Sequence, residues 1–116
     1  MTPVLYGIKN CDTVRKARHW LDEHGVEYRF HDFRADGLDL DRLSAWTAEL
    51  GWETLLNRRG TTWRRLPEEQ RTGLDESRAL ALMLEQPTLI KRPVLDMGQQ
   101  RHIGFDAERY ASLLGR

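Results

Sequence analysis

A chain of 116 residues is long enough for one domain, 1–116, with a sizeable core. Eighteen Lys and Arg balance eighteen Asp and Glu, and a net charge of zero argues against a general nucleic-acid binder, which shows a basic excess. The single cysteine excludes an internal disulfide and a multi-thiolate metal site, and no apolar run reaches the ~20 residues of a membrane span.

No basic region followed by a long apolar stretch opens the sequence, so no secretory leader is expected. A reducing cytoplasm is the natural home for a lone thiol. The four histidines, His19, His24, His31 and His102, form no ligand-like cluster, and no bound metal is expected.

Residues 3–6 read as a first strand, central in its sheet because Val4, Leu5 and Tyr6 are consecutive apolar residues. A helix over about 12–24 follows. It places Val14, Ala17 and Leu21 on one face and stops at Gly25. Val26, Tyr28 and Phe30 then alternate with Glu27, Arg29 and His31, the period of a half-buried strand. Strand, helix and strand in close succession suggest a right-handed βαβ unit.

Arg34–Gly37 is a turn, and Asp39 can cap a second helix ending at Gly51, with Leu40, Leu43, Trp46 and Leu50 inward. A short helical turn at 52–56 precedes a polar loop over 57–65 that carries Arg58, Arg59, Arg64 and Arg65. Pro67 suits the start of another short helix. Asp75 can cap a helix through about Glu85, with Ala79, Leu80, Met83 and Leu84 inward, and Pro87 ends it. Val94 and Leu95 form a strand, Gly98 a turn, and 101–105 the second strand of a hairpin. Asp106 can cap a last helix carrying Tyr110, Leu113 and Leu114. The order is β-α-β, a helical block, then β-β-α. It describes an α/β, thioredoxin-like fold with a central helical insertion in a mixed sheet.

The stretch from Gly7 to Ala17 holds the chemistry. Cys11 falls in a strand-to-helix turn, at or beside a helix N-terminus, where unpaired N–H groups favour a negative charge. That placement lowers a cysteine pKa and makes a nucleophile. A free cysteine is often only a small buried hydrophobe, but here Lys9, Asn10, Thr13, Arg15 and Lys16 make a polar, cationic turn. Asp12 works the other way, since a neighbouring carboxylate raises a thiol's pKa. The four tryptophans, Trp20, Trp46, Trp52 and Trp63, are expected to pack; Trp63, beside Arg64 and Arg65, is the one placed to line a site.

The sequence resembles the arsenate reductase (ArsC) family over nearly its whole length, from Leu5-Tyr6-Gly7-Ile8-Lys9-Asn10-Cys11-Asp12-Thr13 to Gly104-Phe105. The specific pieces are Tyr28-Arg29-Phe30-His31-Asp32, Gly51-Trp52-Glu53, Leu55-Leu56-Asn57, Arg59-Gly60-Thr61-Thr62-Trp63-Arg64 and Ile90-Lys91-Arg92-Pro93. Within the family it is most similar to the branch of Spx regulators and YffB-type proteins, and to the latter above all.

The resemblance implies a catalytic cysteine at Cys11, with glutathione and glutaredoxin as external reductants. It also implies an oxyanion-binding arginine at Arg92 and a cis proline at Pro93. Three departures stand out. Gly7-Ile8 occupies the place of a histidine found shortly before the cysteine in the arsenate enzymes. Their loop arginine falls at Asn57, with Arg58 and Arg59 one and two places on, and their third arginine falls at or near Gly104. Where Spx regulators carry a second cysteine, this chain has Val14.

The expected activity is therefore a glutathione-dependent thiol oxidoreductase that uses Cys11 alone. Arg92, Arg58 and Arg59 are expected to bind anionic groups of the substrate, and Asn10 and Thr13 to donate hydrogen bonds near the sulfur. Glutathione is the co-substrate, with no bound cofactor. The partners are glutathione, a glutathionylated or small oxidised substrate and glutaredoxin, with no nucleic acid and no membrane. A monomer is expected. The alternatives are an Spx-like module that docks on RNA polymerase without catalysis, and arsenate reduction proper.

Overall fold

In a computed structural model, which describes residues 2–116, the N-terminal apolar run forms strand β1 (Val4–Gly7), buried at Leu5, Tyr6 and Gly7. The described residues divide into two compact units. One contains residues 2–36 and Arg92–Arg116; the other is Gly37–Lys91.

The first unit carries the sheet. Strands β2 (Arg29–Asp32), β3 (Val94–Asp96) and β4 (Arg101–Ile103) join β1 in the order β2-β1-β3-β4. β1 runs parallel to β2, with Leu5 opposite Phe30, and antiparallel to β3, with Leu5 opposite Leu95. β3 and β4 form the antiparallel hairpin. β1 is central, as its consecutive apolar residues require.

Helix α1 (Asp12–Glu23) buries Val14, Ala17 and Leu21, the expected face. Ala17, Leu21, Leu5 and Leu95 share a core with Tyr110, which lies on the C-terminal helix Ala107–Leu114. Leu5 and Leu95 are register partners, so both helices pack on the same sheet face. Tyr110 is fully buried and meets Phe105 edge-on at 4.9 Å and Trp20 edge-on at 5.8 Å, the geometry in which aromatic rings attract.

Two strands are shorter than the sequence suggests. The expected strand from Val26 starts only at Arg29, because the Val26 N–H is used to close α1 on the Leu21 carbonyl. Val26 and Tyr28 still pack on the core, so their alternation reports burial without a ladder. β4 stops at Ile103 because Gly104, at φ +85°, turns the chain.

The second unit is helical: α2 (Leu40–Leu50), α3 (Trp52–Leu55), α4 (Thr61–Arg65), α5 (Glu68–Arg71) and α6 (Glu76–Glu85), then a 3-10 turn at Pro87–Leu89. The C-terminal helix of the sheet unit is α7. Asp39, Asp75 and Asp106 each accept the N–H of the residue three places on, capping α2, α6 and α7 as expected. The polar loop narrows to Asn57–Gly60, since Gly60 caps a helical turn that carries Arg64 and Arg65. One further expectation fails at the surface. Leu40 is 52 % exposed, and Thr47 takes its place on the buried face of α2. Leu40, Leu80 and Leu84 line an open groove with Ser44 and Asp75.

Within this unit the segment after α3 pairs antiparallel with the segment after the 3-10 turn, at Leu56 and Ile90. Asn57 N–H donates to the Leu89 carbonyl at 2.7 Å, and Lys91 N–H to the Leu55 carbonyl at 2.8 Å. The chain is thus an α/β protein with a mixed four-stranded, thioredoxin-like sheet and a helical block inserted after β2.

Candidate active site

Cys11 is the N-cap residue of α1, with extended backbone at φ −132° and ψ 124°. Its carbonyl accepts the Arg15 N–H at 2.9 Å, the first bond of the helix. Helix caps are commonly Ser, Thr, Asp or Asn, whose oxygen accepts an N–H of the first turn. Here a half-exposed sulfur stands in that place. As a thiol it makes no ordinary cap bond; sulfur is a weak acceptor until it is charged.

The charged form is the one the site favours. Burial raises the Cys11 pKa, but three groups outweigh it and bring it below the ordinary value. They are the Val14 N–H, the Arg92 guanidinium, by hydrogen bond and by charge, and the Thr13 N–H. The helix N-terminus and one arginine together stabilise a thiolate. Asp12, expected to oppose this, pairs with Arg15 on the exposed side of the first turn.

Arg92 enters from just before β3, and the Arg92–Pro93 peptide bond is cis. Thr13 contributes through its backbone N–H. Asn10 is exposed in the turn before Cys11. Cys11, Asn10, Thr13, Arg92 and Pro93 all belong to the sheet unit, and Arg58 and Arg59 belong to the helical unit. There the Arg58 guanidinium lies 5.8 Å from the ring centroids of both Trp52 and Trp63, within the range of a cation–π contact. The Arg59 N–H donates to Asn57 Oδ1 at 3.1 Å.

Two residues that support the site escaped the sequence reading as site residues. Gly7 ends β1 against α1: a Cβ there would lie 2.7 Å from Val14 Cγ2, so only glycine lets the strand and the first helical turn meet this closely. Asp32 ends β2 and is buried, 6 % exposed. Its carboxylate accepts N–H groups from Arg34 at 2.7 Å, Ala35 at 3.2 Å and Lys9 at 3.1 Å. Burial alone would raise its pKa, but these bonds and the Lys9 charge hold it below the usual carboxylate range. The Asp at a strand end before Arg34–Gly37 is a sequence signal for the local part of this turn; nothing in the sequence marks the bond to Lys9.

Gly104 follows β4 and turns the chain at φ +85°. Its N–H donates to the Pro93 carbonyl at 2.8 Å, and its carbonyl accepts from the Tyr110 hydroxyl at 3.3 Å. Arg109 donates to the Ile103 carbonyl at 2.6 Å.

Sheet order and inserted helices define a thioredoxin-like α/β protein, with a lone cysteine at the N-cap position of α1 beside Arg92. The chain belongs to the ArsC family, whose model matches residues 6–113. It is 57 % identical to the YFFB protein, whose solved structure covers 96 % of this chain and 97 % of its own at a TM-score of 0.91. An arsenate reductase (ArsC) related protein from Brucella melitensis is 46 % identical, covers 100 % of this chain and 97 % of its own, and gives a TM-score of 0.81. The global transcriptional regulator Spx of Enterococcus faecalis is 28 % identical over 117 residues, which is 97 % of this chain and 86 % of that one.

Proposed function

We propose that this chain is a glutathione-dependent thiol oxidoreductase working through Cys11 alone. The observation that carries the reading is the environment of the sulfur: two backbone N–H groups and the Arg92 guanidinium favour the thiolate over the thiol. In the first step the thiolate attacks a glutathionyl disulfide, GS–SR, at the glutathione sulfur. A Cys11–glutathione disulfide forms, and RS⁻ leaves and takes a proton from solvent. In the second step a glutathione thiolate attacks the glutathione sulfur of that disulfide. Oxidised glutathione forms and the Cys11 thiolate returns. One glutathione thiol is consumed per turnover and leaves joined to the substrate's glutathionyl group as oxidised glutathione, so no second protein thiol is needed. Arg92 holds an anionic group of the substrate, a charge-assisted contact of the strong kind.

The test is the rate of Cys11 alkylation against pH, with and without S-hexylglutathione, joined to turnover of a glutathionylated peptide. The expected midpoint lies below the ~8.5 of a free cysteine. The analogue protects, and Cys11→Ser has no turnover. An ordinary midpoint with no protection overturns the proposal.

A second reading is favoured by the similarity to Spx regulators over almost the whole chain: a module that binds RNA polymerase without catalysis. Recovery of polymerase by both wild type and Cys11→Ala, with no turnover by either, selects it. Arsenate reduction proper is checked by adding arsenate, glutathione and glutaredoxin, and absence of arsenite production rules it out.

A further inference from the structure

We propose that Asp32 is a positioning residue for Cys11: its carboxylate fixes the main chain of the loop that presents the sulfur, without touching sulfur or substrate. The inference rests on Cys11 being the nucleophile.

Residues 8–10 must deliver Cys11 from the end of β1 to the start of α1. Two bonds from the end of β2 hold that passage. The Phe33 N–H donates to the Gly7 carbonyl at 2.9 Å, and the Lys9 N–H donates to Asp32 Oδ2 at 3.1 Å. The second bond falls two residues before the sulfur. The other oxygen, Oδ1, accepts Arg34 and Ala35, and the Asp32 N–H donates to Asp36 Oδ2 at 3.0 Å. Oδ1 alone would suffice for the turn. Asn makes the same turn at a strand end with no charge to bury, and a buried carboxylate is costly unless its bonds repay it. The bond that distinguishes Asp32 from an ordinary turn residue is the one to Lys9, so the charge is explained by the loop it holds.

The charges around Asp32 are Lys9, which favours its ionised form, and Asp36, which accepts its N–H. This sets up a test by sign. Removing a negative charge near a thiol, by Coulomb interaction alone, favours the thiolate. Loosening the loop does the reverse, because Cys11 loses its alignment with the Val14 and Thr13 N–H groups and with Arg92. Asp32→Asn keeps volume and one acceptor oxygen, but it turns an amide N–H₂ toward the Lys9 N–H.

The experiment is the Cys11 alkylation profile against pH in wild type and Asp32→Asn, with folding checked by circular dichroism. The expected result is a midpoint at higher pH and alkylation at pH 7 slowed by at least about twofold. A folded variant with an unchanged or lower midpoint overturns the proposal. If Asp32→Asn does not fold, an ester replacing the peptide N–H of Lys9 decides. It removes that donor alone, and an unchanged midpoint there overturns the proposal as well. The wild-type curve separates this proposal from the one it rests on. An ordinary wild-type midpoint ends both. A low wild-type midpoint that Asp32→Asn leaves in place ends only the positioning role.

Discussion

Replacing Arg92 with alanine removes from Cys11 both a hydrogen bond and a positive charge. A hydrogen bond to a charged group is worth about 1.5–3 kcal/mol. Cys11 is half-exposed, and solvent screening places the loss at the low end of that range. A difference of about 1.4 kcal/mol is tenfold in an equilibrium, so the thiolate fraction at a fixed pH below the midpoint falls roughly tenfold. The observed rate falls less. A more basic thiolate is a better nucleophile, with a Brønsted slope of about 0.4–0.5, which restores nearly half of the loss on a logarithmic scale. Alkylation of Arg92→Ala at pH 7 is therefore expected to be roughly three- to fourfold slower than wild type, with the midpoint moved to higher pH. Arg92→Lys keeps the charge without the planar fork and should recover part of the loss. Stopped-flow alkylation with a fluorescent iodoacetamide across pH 4–10 reads both quantities. A folded Arg92→Ala whose midpoint and rate match wild type refutes the reasoning, because the helix N-terminus alone would then hold the thiolate.

Gly7→Ala places a Cβ 2.7 Å from Val14 Cγ2. The overpacking should cost about 1–3 kcal/mol in urea unfolding and slow Cys11 alkylation, since Val14 also supplies an N–H to the sulfur. Gly104→Arg puts an arginine where the resemblance to the arsenate enzymes would place one, but at φ +85°. It should lower stability by about 1–2 kcal/mol and bring no arsenate turnover, read by melting and by arsenite production. Asp32 titrates lower folded than unfolded, so the unfolded chain binds more protons between the two values and stability rises with pH across that window. The contribution is complete above the unfolded value of ~3.9 and is lost as pH falls through the folded one. Chemical denaturation from pH 6 to 2 should show Asp32→Asn less stable at pH 6, with a shallower acid loss than wild type.

Local signals were legible wherever a short-range rule decides. Asp39, Asp75 and Asp106 cap helices because a carboxylate three residues before an N–H has one obvious partner. Val14, Ala17 and Leu21 are buried because a helical stripe has one way to face a sheet. Cys11 at a helix start followed from an apolar run meeting a helical period. The misses share a different cause. Val26–Tyr28 has strand alternation, yet its first N–H is taken by the end of α1. Thr61–Arg65 is polar enough for a loop, yet its turn is helical, with Thr62 Oγ1 and Thr88 Oγ1 2.7 Å apart across the helical unit. Leu40 has the spacing of a core residue on a helix whose neighbours leave that corner open. The Asp32 carboxylate takes a backbone N–H of Lys9, and the Gly104 N–H donates to the Pro93 carbonyl; backbone partners carry no side-chain signature in the sequence.

The position of β1 has a consequence for synthesis. Its β2 neighbour follows it closely along the chain, but its other neighbour, β3, comes only after the whole helical block. During translation at ~5–20 residues per second, Val4–Tyr6 therefore wait several seconds with one edge of N–H and C=O groups unpaired. The strand that lies deepest in the finished sheet is, for that interval, an edge open to pairing with other nascent chains. The residues between β2 and β3 thus set how long a ribosome-bound chain is exposed to that hazard.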